Sequence, residues 1–367
     1  MEFVLSELAE QVLTARAAKK SLFITGGGTK SFYGNHRALL PQDEHYQLDM
    51  TVYRGIVNYH PSELVVTARA GTPLAELESE LERSGQMLAF EPPHFGAAAT
   101  VGGCVAAGLA GPRRMAAGSV RDFVLGVRVL DAQGNLTSFG GEVMKNVAGY
   151  DVSRLMAGSL GIFGALLEVS LKVLPRPLEE STRVLEATQD EALKLFTDWR
   201  SQPLPISASA WMPDEVASGG GRLAVRLSGA PPAVRAAVAR IGGDDLGDAR
   251  AWWRSLREQT HDFFDRERPL WRVALPPTVP SLDCGPMLLE WGGAQRWFSG
   301  SADANALRAA AERAGGHATL FRAAEGGEPE GGVFHPLPPG VATITRRLKQ
   351  ELDPSGLFNP GRLYPEL

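Results

Sequence analysis

The chain has 367 residues and a formal net charge of −5 at pH 7, and 44% of its residues are hydrophobic and 22% charged. This is the composition of an ordinary globular protein, and the length allows two domains. The acidic balance and the scattered lysines and arginines argue against general nucleic-acid binding. Two cysteines, Cys104 and Cys284, are too few for a zinc or iron–sulfur cluster, so any such cluster must belong to another chain.

The N-terminal residues and the hydropathy pattern predict a cytoplasmic protein. Residues 1–7 have neither the basic region nor the apolar core of a signal peptide. No apolar run approaches the roughly 20 residues that a membrane-spanning helix needs. Two lone cysteines also favour a reducing compartment.

A glycine loop follows the first predicted strand. Residues 22–25 are apolar and lead into Gly26, Gly27, Gly28, Thr29 and Lys30. A loop without Cβ atoms turns sharply and brings several N–H donors onto one anion, such as a phosphate. The spacing is neither that of a P-loop nor that of a Rossmann turn, and an ordinary tight turn is the alternative.

The rest of the first half alternates predicted strands and helices. Strands are expected at 64–68, from 123 and at 164–174, with an amphipathic helix from 74 to 81. Residues 97–111 are almost all small, which predicts either a tightly packed helix or backbone lying flat against a large ligand. Pro175 and Pro177 mark a domain boundary.

The second half is predicted to form an antiparallel sheet with helices on one face. Helices are expected at 233–241 and 302–314, and strands at 207–212, 222–227, 271–275, 287–291, 294–298 and 317–322. Residues 323–332 are rich in glycine and glutamate, which predicts a mobile linker. Residues 348–362 contain two X-Pro steps and two glycines, which predicts a shaped turn, not a long helix, that packs back onto the protein.

Six segments, at 26–30, 100–103, 118–122, 145–151, 158–164 and 353–361, together resemble the FAD-binding fold of the vanillyl-alcohol-oxidase and p-cresol-methylhydroxylase type. The sequences at 91–96, 111–114 and 316–322 resemble those of the FAD-binding subunits of bacterial glycolate oxidase, also called glycolate dehydrogenase. The resemblance implies an α+β protein. A two-subdomain FAD-binding domain would span 1–177, an antiparallel-sheet cap 178–335, and a segment returning to the FAD domain 336–367.

The resemblance also implies which residues bind the cofactor. In chain order these are Gly26, Gly27, Gly28, Thr29, Lys30, Gly34, Asn35, Thr100, Gly102, Gly103, Gly108, Arg121, Asp122 and Ile162. Those between 26 and 35 would hold the pyrophosphate by backbone donors. Those between 100 and 108 would line the flavin and its ribityl chain, and Arg121, Asp122 and Ile162 would lie near the nucleotide half. Some members attach FAD through a loop histidine, and Thr29 and Lys30 stand there instead, so FAD is expected to be non-covalent.

The catalytic residues are less well marked. Related 2-hydroxy-acid enzymes carry a His-x-Gly-Asp-Gly-Asn-x-His metal motif, whereas residues 316–322 keep one histidine and no carboxylate, so no metal is expected. The candidate bases are His317 and His335, and each has a structural role as its alternative.

Three arginines and three tryptophans are further candidates for the site. The candidate cations for a substrate carboxylate are Arg272, Arg296 and Arg322. Trp211, Trp291 and Trp297 suit core packing or an aromatic wall over the flavin.

Three functions are compatible with these features. The first is an FAD-carrying subunit of a multi-subunit glycolate dehydrogenase, with a second flavoprotein and an iron–sulfur subunit as partners through which it would reach the inner membrane. The second is a self-sufficient FAD-dependent dehydrogenase of glycolate or D-lactate. The third is a non-catalytic assembly scaffold.

Overall fold

The computed structural model describes residues 1–35, 45–141, 151–214, 220–282, 285, 287–324, 329 and 331–367. The α-helices within these residues are α1 (Glu2–Ala17), α2 (Leu74–Arg83), α3 (Val101–Ala107), α4 (Arg114–Ala117), α5 (Val152–Leu155), α6 (Gln189–Arg200), α7 (Pro231–Ile241), α8 (Ala249–Arg257), α9 (Ala304–Arg313) and α10 (Pro339–Leu352). No helix in these ranges is both long and apolar enough to cross a bilayer.

The strands fall into two groups along the chain. The first group comprises β1 (Ser21–Thr25), β2 (His45–Asp49), β3 (Ile56–His60), β4 (Val65–Arg69), β5 (Gln86–Met87), β6 (Val124–Leu130), β7 (Leu136–Gly140), β8 (Ala165–Lys172) and β9 (Leu174–Pro175). The second comprises β10 (Glu179–Glu186), β11 (Ile206–Pro213), β12 (Gly221–Gly229), β13 (Asp244–Asp245), β14 (Leu270–Ala274), β15 (Met287–Glu290), β16 (Gln295–Ser299) and β17 (His317–Arg322).

The first group builds the sheets beside the glycine loop. β1 and β2 pair in parallel, β5 pairs with β9, and a five-stranded antiparallel sheet has the order β3-β4-β8-β6-β7. Helix α2 packs on the same core through Leu74, Leu77 and Leu81, which recur on one helical face and are all fully buried. This burial fixes the helix against the sheet.

The second group forms one eight-stranded antiparallel sheet in the order β13-β10-β12-β11-β15-β16-β14-β17. Helices α6, α7 and α9 cover one face, where they share a core with Trp211, Trp271 and Met287. Helix α8 lies on the other face and packs Trp253 and Leu256 into the contact with the first half of the chain. The predicted α+β class and the antiparallel sheet of the cap are confirmed, but the prediction of helices on one face was wrong for α8.

Four elements of this cap were not predicted from the sequence: β10, β13, α6 and α8. Strand β10 reads Glu-Glu-Ser-Thr-Arg-Val-Leu-Glu and buries only Thr182, so its hydrophobic alternation is weak. It is held instead by its full-length pairing with β12. Helix α6 begins with a capping box between Thr188 and Glu191, a signal that the analysis did not use.

The prediction for the C-terminal residues was partly wrong. Residues 348–352 are the last turn of α10, because Pro354 interrupts the helix only after Leu352. The shaped turn begins at Asp353, and Phe358 then forms a parallel bridge with Leu22 of β1. The tail thus packs back onto the first strand, as expected.

Several predictions lie wholly or partly outside the described residues. These are Cys284, residues 145–150 of one resemblance segment, and residues 325–328 and 330 of the expected linker. The other cysteine, Cys104, is buried, and this burial raises the pKa of its thiol to about 12. The division of the chain at 177 and 335 stays a prediction.

Lys349 is the anchor of the returning tail. Its Nζ donates to Asp353 Oδ2 at 2.7 Å, to the Ile162 carbonyl at 2.6 Å and to the Phe358 carbonyl at 3.0 Å. The side chain of Asp353 is fully buried, and its oxygens also accept the N–H groups of Leu357 and Phe358.

Lys349→Met is expected to lower the free energy of unfolding by about 3–5 kcal/mol, because it leaves a buried carboxylate without its cation. Urea denaturation measures this. The matched control is Arg347→Met, an exposed cation on the same helix, which should change stability by less than about 0.5 kcal/mol. Equal stability of the two variants would contradict the anchoring role.

Candidate functional site

A cleft of about 230 Å³ runs along the glycine loop between β1 and α3. The residues that line it are Phe23, Ile24, Thr25, Gly26, Gly27, Gly28, Thr29, Lys30, Ser31, Met50, Ala70, Thr100, Gly102, Gly103, Ala106, Ala107, Leu160, Gly161, Gly164, Leu166, Asn359 and Arg362. Eight of the fourteen predicted cofactor residues are therefore brought together in one place, within walls that are largely apolar.

The glycine loop is held by a very close backbone approach. A Cβ on Gly27 would lie 1.6 Å from the Ala98 carbonyl oxygen, and one on Gly26 would lie 2.5 Å from Thr100 Oγ1. Gly28 has φ of +69° and no atom where its Cβ would stand. Only glycines fit this packing, and at Gly28 the backbone is open to a ligand.

The small-residue segment forms a helix and also lines the cleft. Thr100 caps α3 by accepting the N–H of Gly103 at 3.2 Å. Gly102 packs so closely on Ala70 that a Cβ would stand 2.6 Å from the Ala70 Cβ. The two expectations for residues 97–111 are thus compatible, because the same small residues allow close helix packing and a flat cleft wall.

Lys30 supplies a positive charge at the cleft. Its Nζ donates to the His94 carbonyl at 3.1 Å and to Thr29 Oγ1 at 3.4 Å, and it lies 5.8 Å from the centre of the Phe95 ring. Burial lowers the pKa of this ammonium group. A half-buried cation beside backbone donors is suited to an anionic ligand.

The C-terminal turn closes the cleft with two residues that the sequence analysis missed as site residues. Asn359 accepts the N–H of Ile24 at 2.9 Å and donates to the Leu160 carbonyl at 2.6 Å. Arg362 donates to the carbonyls of Tyr33, at 2.7 Å, and of Ser31. The sequence signals were the pair of X-Pro steps, which predicts a turn packing back onto the protein, and the resemblance of residues 353–361 to the FAD-binding fold.

Six of the fourteen predicted cofactor residues do not line the cleft: Gly34, Asn35, Gly108, Arg121, Asp122 and Ile162. Gly34 and Asn35 support the tail, since the Asn35 amide donates to the Gly361 carbonyl at 3.2 Å and a Cβ on Gly34 would meet Arg362. Gly108 ends α3 with φ of +64°.

The other three of these six residues also have structural contacts. Asp122 closes a capping box with Ser119, next to the exposed Arg121. Ile162 is fully buried, and its carbonyl accepts from Lys349. Their placement near the nucleotide half of the cofactor stays a prediction.

The comparisons with known proteins identify the family. A model described as an FAD binding domain matches residues 5–140. The glycolate oxidase subunit GlcE of Escherichia coli (strain K12) is 48% identical over 98% of this chain and 97% of its own. The chain belongs to the GlcE family. A D-lactate dehydrogenase of Anaerostipes hadrus is 34% identical over 35% of this chain and 27% of its own.

A solved structure of alkyldihydroxyacetonephosphate synthase shares the fold. Its TM-score is 0.68 at 17% sequence identity, and the match covers 97% of this chain and 74% of that one. Membership of the GlcE family confirms FAD as the cofactor and an FAD-dependent oxidoreductase as the class of enzyme. The cleft fits such a ligand, because Gly28 leaves open space at the loop and Lys30 supplies a cation. No histidine is among the residues that line the described cleft.

The predicted catalytic residues lie in the cap and not along this cleft. The rings of His317 and His335 are 6.3 Å apart, and His335 Nδ1 accepts the Ala318 N–H at 3.4 Å. Burial lowers the pKa of both imidazoles, and the nearby Arg272 lowers that of His317 further. Both rings are therefore biased towards the neutral form that a base requires.

The three candidate arginines have different surroundings. Arg322 donates to the Phe264 and Asp265 carbonyls at 3.5 and 3.3 Å, and Arg296 is fully buried and donates to the Gly293 carbonyl at 3.2 Å. These contacts hold loops of the cap. Arg272 instead reaches across to the FAD-binding half and donates to the Tyr33 hydroxyl at 3.0 Å.

A small polar cavity lies beside Arg272, where the cap meets the FAD-binding half. It has a volume of about 20 Å³ and is lined by both halves, including Phe95, Gly111, Arg272, Glu290 and Trp297. Of the three candidate tryptophans, Trp297 packs here on Phe321 and Trp291 donates to the Gly111 carbonyl at 3.1 Å. Trp211 lies in the core on the other face of the sheet.

Glu290 is a buried acid that the sequence analysis missed. Its Oε2 accepts Trp297 Nε1 at 2.6 Å and Gln295 Nε2 at 3.0 Å. Burial raises the pKa of this carboxyl to about 7, although both hydrogen bonds oppose the rise. The signal in the sequence is a lone carboxylate at the end of the otherwise apolar strand β15.

Gly27→Ala is expected to abolish FAD binding, because the new methyl group would overlap the Ala98 carbonyl and displace the loop. The flavin absorbance per mole of purified protein measures this. Gly340→Ala is the control, since no atom lies within 4 Å of the added Cβ there. Full flavin content in Gly27→Ala would mean that the loop does not bind the cofactor.

Glu290→Gln is expected to stabilise the protein at pH 8 by about 2–3 kcal/mol and to have little effect at pH 5. In the unfolded chain the carboxyl ionises near its ordinary pKa of 4.5, whereas the folded protein retains the proton up to about pH 7. The free energy of unfolding of the wild type therefore falls as the pH rises through this window.

The amide that replaces the carboxyl in this variant is neutral at every pH, so this decrease in the free energy of unfolding between pH 5 and pH 8 should be absent. Urea denaturation at the two pH values measures it. The exposed Glu351→Gln serves as the control. The same pH dependence in Glu290→Gln and wild type would show that Glu290 does not hold this proton.

Proposed function

We propose that this chain is the FAD-carrying subunit of a multi-subunit glycolate dehydrogenase. The complex would oxidise glycolate to glyoxylate, and its partners would be a second flavoprotein and an iron–sulfur subunit that takes electrons onward. The observation that carries the proposal is the 48% identity to the E. coli glycolate oxidase subunit GlcE over 98% of the chain. The name of that relative describes a subunit, which supports partner chains in this case as well.

The oxidation of a 2-hydroxy acid has several requirements, and residues of this chain are candidates for some of them. Bound FAD accepts a hydride in such oxidations, and the reaction also needs a base for the hydroxyl proton and a cation for the carboxylate. In this proposal the glycine loop and Lys30 hold the anionic part of the cofactor. In the self-sufficient alternative, Arg272, near the neutral imidazole of His317, would orient the substrate carboxylate at the contact between the two halves.

Dependence on a partner follows from where the candidate bases lie. His317 is the first residue of β17, and neither it nor His335 is among the residues lining the cleft. A second flavoprotein subunit that oxidises the substrate would let this chain relay electrons without a base of its own. The cysteine count of two also leaves an iron–sulfur cluster to another subunit.

A self-sufficient dehydrogenase of glycolate or D-lactate is the second candidate. The observation favouring it is that Arg272 and Glu290 line one cavity where the two halves meet. A cation and a carboxyl group with a pKa of about 7 therefore lie in the same place. The assembly-scaffold alternative is less well supported, because a scaffold has no need of the glycine packing at Gly26 and Gly27.

The anaerobic absorbance spectrum of the FAD-loaded single chain distinguishes these candidates. Adding glycolate is expected to leave the flavin oxidised, and adding the partner subunits with glycolate is expected to bleach it. Bleaching of the single chain by glycolate or D-lactate would overturn the relay role and establish the second candidate. A chain that takes up no FAD would restore the scaffold.

His335→Ala and His317→Ala refine the same test. Under the proposal both variants retain FAD and support flavin reduction in the complex to within about twofold, because the substrate is oxidised on the partner. A loss of a hundredfold or more, with the flavin content unchanged, is the range typical of a removed general base. That result would assign the reaction to this chain.

A further inference from the structure

A second concave site lies away from the FAD cleft. We call it the arginine groove: a space of about 540 Å³ between α2 and β5 of the FAD-binding half and β10 and α8 of the cap. The charged residues that line it are Glu78, Glu82, Glu91, Arg113, Arg176, Glu180, Arg226, Arg250, Arg254 and Arg257. None of its lining residues is shared with the FAD cleft.

The four carboxylates of the groove are already engaged by other groups. Glu91 accepts from Arg226 at 2.9 Å and from Arg113, and Glu180 accepts from Arg113 at 2.5 Å. Glu82 pairs with Arg176, and Glu78 contacts His94 Nε2 at 2.9 Å. The acidic groups of the groove therefore have their partners within the wall.

The arginines of α8 are not balanced in this way. Arg250, Arg254 and Arg257 recur at i, i+4 and i+7, so they lie on one face of the helix, which is the face lining the groove. Arg257 Nε donates to Glu258 at 2.8 Å. Arg250 and Arg254 are exposed and form no ion pair with any residue in the described ranges.

Helix α8 holds these two arginines in place. Trp253, between them in sequence, is buried, and its Nε1 donates to Thr182 Oγ1 at 3.0 Å. The guanidinium of Arg226 lies 5.1 Å from the centre of the same indole. Residues four apart on a helix have their Cβ atoms about 5–6 Å apart, so Arg250 and Arg254 present two adjacent cations on a fixed support.

We propose that the arginine groove binds a small molecule that carries two adjacent anionic groups, of which diphosphate is the simplest example. Guanidinium groups match phosphoryl and carboxylate oxygens in bidentate geometry, and Arg250 and Arg254 each have this fork available. The volume lies within the range of small-ligand pockets, about 300–1,000 Å³. The two anionic groups would bridge the two arginines, and the rest of the ligand would occupy the groove towards Arg257.

Isothermal titration calorimetry of the FAD-loaded chain with inorganic pyrophosphate at low salt tests the proposal. One equivalent is expected to bind, and Arg250→Gln/Arg254→Gln should weaken it at least tenfold. Arg346→Gln/Arg347→Gln removes the same charge from two exposed arginines of α10 and should leave the affinity within twofold. Flavin absorbance recorded in each titration shows that pyrophosphate has not displaced FAD, so this result is independent of the proposed electron relay.

Two results would overturn the proposal. One is the absence of saturable binding to the wild type at millimolar pyrophosphate. The other is equal weakening in both double variants, which would indicate an adventitious ion only. Succinate in place of pyrophosphate tells the ligand classes apart: saturable binding that Arg250→Gln/Arg254→Gln removes extends the site to dicarboxylates, and binding of pyrophosphate alone restricts it to diphosphates.

Discussion

The architecture of the cofactor cleft depends on how closely two backbones approach each other. Gly26 and Gly27 run over residues 98–100 with no space for a side chain, and a single methyl group at Gly27 would overlap the Ala98 carbonyl. That contact sets the distance between β1 and the start of α3. The Thr100 cap and the contact of Gly102 with Ala70 lie next to it, and Gly28 remains open on the other side. Because the glycine loop packs on residues 98–100 without room for one more carbon atom, its backbone is restricted to one conformation.

The cap contributes to this geometry from the opposite side. Glu258, directly after α8, accepts the N–H groups of His94 at 3.0 Å and Phe95 at 2.7 Å. The next residue, Gly96, packs against Thr29, so the segment that the cap holds is also the one resting on the glycine loop. Phe95 extends the contact into an aromatic cluster with Phe32 and Phe321. The two halves therefore meet in a contact that is polar at Glu258 and apolar beside it.

The sequence predicted what local chemistry determines. Runs of β-branched and aromatic residues gave most of the strands, the Leu74, Leu77 and Leu81 spacing gave α2, and consecutive glycines gave the loop. Strand β10 was missed because its charged residues are held by a neighbouring strand and not by burial. Asn359 was missed because its partners, Ile24 and Leu160, are 335 and 199 residues away along the chain.

The catalytic candidates show the same limit. Its place in an apolar strand singled out Arg322, but the structure turns its side chain towards the carbonyls of Phe264 and Asp265. Glu290 was recognised only when the structure showed that it is buried, because a sequence does not show whether an acidic side chain is exposed to solvent. Local pattern thus predicts the scaffold well, whereas long-range contacts determine which polar groups have unusual chemistry.

The return of the C-terminal turn to β1 has a consequence for biosynthesis. The chain is made from its N-terminus, yet the N–H of Ile24 donates to Asn359, and the carbonyls of Ser31 and Tyr33 accept from Arg362. The glycine loop emerges from the ribosome more than 300 residues before these partners do. The cap, in contrast, has all its strands once residue 322 has emerged. The sheet of the cap can therefore form before residues 359–362 emerge, whereas a complete cofactor cleft requires those residues.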